Sequence, residues 1–134
     1  MTNEEKIRHW VSLSDEDLKT ATVLLNGKCY LYAGFLCHLT LEKIFKACYA
    51  KIKGDTPPFT HDLLYLAEKS GFDNLLTDEQ QDFIAEVNPL NIEARYPEYK
   101  SSIAKTFTST KCVALLEQTK ALQQWTKEKI LLIK

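Results

Sequence analysis

A chain of 134 residues with 45% hydrophobic and 26% charged residues is one domain's worth of ordinary globular sequence. Burying roughly two-thirds of its unfolded surface gives it a core without disulfide or metal staples. Four glycines and four prolines are too few for a sandwich of many tight turns, and a net charge of −1 excludes a protein that coats nucleic acid through bulk positive charge.

The opening MTNEEKIRHW is polar, unlike a signal peptide, and no apolar run is long enough to span a membrane, so a cytoplasmic protein is expected. Cys29, Cys37, Cys48 and Cys112 contain no Cys-x-x-Cys pair, which argues against zinc and dithiol chemistry. Cys37 and Cys48 share a helix face but lie roughly 16 Å apart along it, too far to bridge. Reduced, buried thiols are the expected state.

Helical spacing runs from about Asn3 to Asn26 through Ile7, Trp10/Val11, Ser14, Leu18, Ala21 and Leu24/Leu25. Thr2 and Glu5 fit a capping box, and Gly27 a stop. Ser14 interrupts the apolar stripe with a small residue, which permits close approach of a second helix. That second helix is predicted from about Lys28 to Lys53, ending at Gly54. One stripe includes Ala33, Leu36/Cys37, Leu41, Ile44 and Ala47/Cys48; another reads Leu31, Phe35, Leu39, Phe45 and Tyr49. A surface helix has one such stripe. Two imply a central helix or a partner's surface, with Phe35, His38, Leu39, Glu42, Phe45 and Tyr49 as interface candidates for a homodimer.

Pro57-Pro58 predicts an extended linker. Thr60 is the expected cap of a short helix from His61 to Ser70, stopped by Gly71. Thr77 and Gln80 form a second capping box, opening a helix through Val87. Asn88-Pro89 interrupts it before Asn91–Arg95, Pro97 prevents continuation, and a last helix is expected from about Ile103 to Ile130. The sum is an all-α, single-domain bundle of about five helices across residues 1–134, combining up-and-down long helices with short ones.

Nucleotide-loop, zinc-protease and hydrolase-elbow motifs are absent, so neither cofactor nor metal is predicted. Asp15, Glu16 and Asp17 read as a solvated acidic run. Three clusters carry chemistry. His38, Glu42 and Lys46 share one face of the second helix, either as a functional polar seam or as a pair that fixes register. Thr60-His61-Asp62 opens a helix, where free N–H groups favour an anion or simply receive a cap. Arg95, one of only two arginines, stands beside Tyr96 and Tyr99 in a bend, suited either to a phosphate or to holding carbonyls and carboxylates.

In order along the chain, Asp17-Leu18, Glu42-Lys43-Ile44-Phe45-Lys46-Ala47, Thr60-His61-Asp62-Leu63 and Arg95-Tyr96-Pro97 resemble the motifs of the HEPN domain family, over about residues 5 to 125. Phe45 replaces the usual Leu. The resemblance implies a helical bundle that forms homodimers and is associated with nucleotide or RNA. It also implies a prokaryotic toxin–antitoxin-like pairing with a minimal nucleotidyltransferase. Ligand-binding candidates are then His61, Asp62, Arg95, Tyr96, Lys43 and Lys46. Ribonuclease relatives carry Arg and His separated by four to six residues. Here Lys100, Ser101 and Ser102 occupy the corresponding places after Arg95, and Arg8 is directly followed by His9. No catalytic residue is therefore assigned, since the imidazole that would transfer the proton is missing. The leading expectation is a non-catalytic binding module. Its rivals are a metal-independent ribonuclease with a non-standard site, using His61 with Arg95, and a purely structural helical adaptor.

Overall fold

The computed structural model describes residues 1–96, 98 and 107–133. These are helical almost throughout, with no strand among the described residues. Helix α1 spans Asn3–Asn26 and α2 spans Tyr30–Lys53. Then come α3 (Leu63–Ser70), a 3-10 turn (Asp73–Leu75), α4 (Asp78–Val87) and the single turn α5 (Leu90–Glu93). Helix α6 (Ser109–Thr126) runs into a π-helical turn over Lys127–Leu131.

Helix α2 is the centre of the bundle. It packs most extensively on α1, then on α6 and α3, and touches α4 and α5. Its two apolar stripes are thereby mostly used inside the chain: Cys37, Leu41, Ile44, Phe45, Ala47 and Cys48 are all fully buried. Phe45 meets Phe72 edge-on at 5.0 Å between ring centroids. Ser14 fulfils its expectation as a close-approach residue, because it is fully buried and its Oγ donates to the Thr40 carbonyl at 2.7 Å. Gln123 Nε2 donates to the same Oγ at 3.0 Å, so one small polar contact ties α1, α2 and α6 together. At the far end Lys51 Nζ donates to the Leu131 carbonyl at 2.6 Å, fixing the π turn against α2.

Both capping boxes form, at Thr2/Glu5 and Thr77/Gln80. Gly54 and Gly71 end their helices in the left-handed region, at φ +67° and +88°, as glycine favours. Three expectations shift, and a fourth falls outside the described residues. Gly27 keeps a negative φ of −83°, and Lys28 takes the left-handed conformation at +63°, so α2 starts at Tyr30 rather than Lys28. Asp62, not Thr60, caps α3; its carboxylate accepts from Leu64 N and Tyr65 N, while Thr60 Oγ accepts from Asp62 N. Helix α6 is capped by Thr108 Oγ on Lys111 N, and the predicted start at Ile103 lies outside the described residues. Finally, Cys29 is exposed, whereas Cys37, Cys48 and Cys112 are buried and unbridged as expected. Burial pushes the Cys37 thiol up to about 12 and Cys48 higher still, so neither forms a thiolate near neutral pH.

Candidate functional site

Residues 38, 42 and 46 lie one turn apart on α2, and the fold turns that face toward the start of α3 rather than toward solvent. His38 is fully buried, Glu42 is 2% exposed and Lys46 is 7% exposed. Glu42 is the hub. Its Oε2 accepts from Lys46 Nζ at 3.1 Å, and its Oε1 lies 2.8 Å from His61 Nδ1. The Lys46 ammonium also stands over the Trp10 ring at 5.4 Å. A buried carboxylate is tolerable only when its charge is matched, and here Lys46 matches it.

His61 differs from the other members because its side chain is half-exposed, at 53%. A carboxylate oxygen can only accept, so Nδ1 carries a proton and the neutral ring has Nε2 as its basic nitrogen. His38 stays apart. Its Nδ1 is 3.8 Å from Glu42 Oε1, beyond hydrogen-bond range, and neither ring nitrogen has a partner among the described residues. The His61 main chain and the Asn88 amide face the ring without closing a hydrogen bond of good geometry. Desolvation holds His38 down at about 4, with Glu42 pulling weakly the other way, so this imidazole is neutral at pH 7.

Above this buried seam, the start of α3 and the α4–α5 corner enclose a groove of about 420 Å³ lined by His61, Asp62, Asn88, Pro89, Asn91 and Ile92. Asn88 makes the corner. Its Oδ1 accepts from Leu63 N at 2.9 Å and its Nδ2 donates to Asp62 Oδ1 at 3.0 Å. A following proline disfavours the right-handed helical region, yet Asn88 keeps it, at φ −52° and ψ −44°, and its side chain locks two helices. In the sequence Asn88 stands out only as the kink before Pro89, and Asn91 does not stand out at all. The partners of Asn88, Leu63 and Asp62, lie 25 and 26 residues away, which no local pattern reveals.

The other candidates are distributed differently. Arg95 and Tyr96 are exposed just past α5, with Arg95 N bonded to the Ile92 carbonyl, one turn beyond the groove wall. The Arg95 guanidinium lies over the Phe35 ring at 5.5 Å, whereas Asp62 is held by the α3 amides and Asn88, so these two candidates have different partners. Lys43 pairs with Asp17 at 3.2 Å across the α1–α2 seam and does not line the groove. Burial nevertheless raises the Asp17 carboxyl above its ordinary value, against the attraction of Lys43. Lys46 is engaged by Glu42. Of the interface candidates, His38, Glu42 and Phe45 are buried within the chain itself, which removes them from any outer face, while Phe35, Leu39 and Tyr49 remain partly exposed. Pro97, Tyr99, Lys100 and Lys105 lie outside the described residues.

Among the described residues no group of three or more His, Cys, Asp or Glu side chains is placed to hold a metal ion, and no helix is long and apolar enough to cross a membrane. No curated protein matches the chain significantly. The crystal structure of TT1696 from Thermus thermophilus is similar in fold, with a TM-score of 0.80 at 19% identity, covering 92% of this chain and 98% of its own. The HEPN domain family model matches residues 7–130, nearly the whole helical bundle, and the chain belongs to the HEPN domain family.

Proposed function

We propose that this protein is a non-catalytic HEPN binding module that takes a nucleotide, or a nucleotide unit of RNA, in the groove at His61. The observation that supports the reading is the Glu42–His61 contact. It runs from a buried carboxylate to a half-exposed imidazole at a groove, which leaves an oriented polar group facing the space a ligand would fill. Arg95, one turn beyond the groove wall, supplies a fixed positive charge for a phosphate. Calorimetric titration with adenosine 5′-monophosphate tests this: saturable binding that His61→Ala weakens at least tenfold is expected, and equal binding by both proteins contradicts it.

The same reading includes a homodimer on the remaining outer face of α2, around Phe35, Leu39 and Tyr49, and a small nucleotidyltransferase as partner in a toxin–antitoxin-like pair. Half-buried apolar side chains on the central helix support the dimer. A monomer in light scattering at about 50 µM, far above typical obligate-dimer dissociation constants, contradicts it.

One observation favours a second reading, a metal-independent ribonuclease with a non-standard site. A carboxylate that fixes an imidazole through Nδ1 leaves Nε2 free to take a proton, the arrangement of an oriented general base. Cleavage of RNA in EDTA by the wild type and not by His61→Ala selects this reading over the first.

A further inference from the structure

The polar inventory of the groove is unlike a phosphate cradle. Asp62 lines it, and all three hydrogen bonds its carboxylate accepts, from Leu64 N, Tyr65 N and Asn88 Nδ2, fall on Oδ1. Among the described residues, Oδ2 thus has no donor, and Asp62 presents it on a residue that lines the groove. Asn91 lines the same groove, is only 5% exposed, and its Nδ2 has no acceptor among the described residues. A buried amide donor without a partner is costly and rare in a folded protein, and a bound ligand is one way of satisfying it. The walls between these groups are the Pro89 ring and the half-exposed Ile92 side chain, which are apolar.

From these groups we infer that the groove receives the base of the nucleotide, edge-on, and that it selects a heteroaromatic ring carrying an exocyclic amino group. The amino group donates to Asp62 Oδ2, and a ring nitrogen beside it accepts from Asn91 Nδ2. Carboxylates read amino groups and amides read the donor–acceptor edge of adenine by the same complementarity in nucleic-acid recognition. A phosphate in this position would face the Asp62 carboxylate and be repelled; it belongs outside, toward Arg95. The volume of about 420 Å³ lies within the usual range of about 300–1,000 Å³ for small-molecule pockets.

The inference rests on the proposed nucleotide site, and the test separates the two. Adenosine, purine riboside (which lacks the amino group) and ribose 5-phosphate are titrated into the full chain, with His61→Ala, Asp62→Asn and Asn91→Ala as variants. Asn at position 62 still caps α3, so folding is preserved and checked by circular dichroism. Adenosine is expected to bind, purine riboside to bind at least tenfold more weakly, and Asp62→Asn and Asn91→Ala each to weaken adenosine at least fivefold. Equal binding of adenosine and purine riboside overturns the inference. Binding of ribose 5-phosphate that His61→Ala abolishes, without binding of adenosine, also overturns it while leaving the nucleotide site standing. No binding of any of the three overturns both.

Discussion

The Nδ1 atom of His61 lies 2.8 Å from Oε1 of Glu42, joining a half-exposed ring at the start of α3 to a carboxylate buried on α2. Glu42 holds Lys46 with its other oxygen, so one carboxylate serves a structural partner and a candidate ligand contact together. Replacing it tests both roles. Glu42→Gln leaves the Lys46 ammonium buried without its counter-charge, a change typically worth about 3–5 kcal/mol when a buried pair is broken. Urea unfolding should show a loss of that order. A second change, Lys46→Met, should recover part of it, because the stranded charge is then gone.

His38 sets a pH dependence whose direction follows from its burial. Unfolded, the ring takes its proton near the ordinary value of 6.5; folded, only at about 4. Between those values the unfolded chain binds the extra proton, so stability falls as pH drops from about 6.5 toward 4. A difference of this size corresponds to about 3 kcal/mol. Glu42 and Lys46 on α2 and His61 at the start of α3 are the other charged or titratable groups of this seam, and Glu42 partly offsets the effect. Urea midpoints between pH 4 and 7 should show a shallower acid slope in His38→Leu, which also removes two unpartnered nitrogens. An unchanged slope would show that the acid sensitivity lies elsewhere.

Gly34 marks a close approach inside α2. A Cβ there would meet Phe107 Cζ at 2.9 Å and Leu90 Cδ1 at 3.4 Å. Alanine normally gains about 1 kcal/mol over glycine within a helix. Here Gly34→Ala should instead lower the unfolding midpoint. Combined with Phe107→Leu, which vacates the ring's far end, the same substitution should be neutral or stabilising. Midpoints of the four proteins in this cycle decide it.

The cap of α3 is predicted to matter in proportion to its bonds. Asp62→Ala removes the acceptor for two α3 amides and for Asn88 Nδ2. Loss of a cap typically costs about 1 kcal/mol, up to about 2, and Asp62→Asn should lose much less. Thermal unfolding of the two variants against the wild type measures the difference.

Much of the architecture was legible because it depends on local chemistry. The bounds of α1 follow from Thr2, the helical stripe and Gly27, and the interruption after Val87 follows from Asn88-Pro89. Ser14 was legible as a close contact because a small residue inside an apolar stripe has few other uses. The shift of the α3 cap from Thr60 to Asp62 reflects a tertiary partner, since Asn88 from α4's end reaches Asp62. Phe45 and Glu42 look like interface residues in the sequence because periodicity alone does not distinguish a helix surrounded by its own chain from one covered by a second copy. His61 and Glu42 each stand in a motif, but neither motif points to the other. Nineteen residues and a Pro-Pro linker separate His61 from Glu42, and only the folded chain brings them together.

The central claim is that the groove at His61 receives a nucleotide, and the imidazoles report on it directly. The chain has only three histidines, His9, His38 and His61, so their ring nitrogens are separable by long-range proton–nitrogen NMR. Titration with adenosine 5′-monophosphate should move the His61 ring resonances saturably and leave those of His9 in place. Ring resonances of His61 that stay fixed while the nucleotide is raised to millimolar concentration would contradict the account.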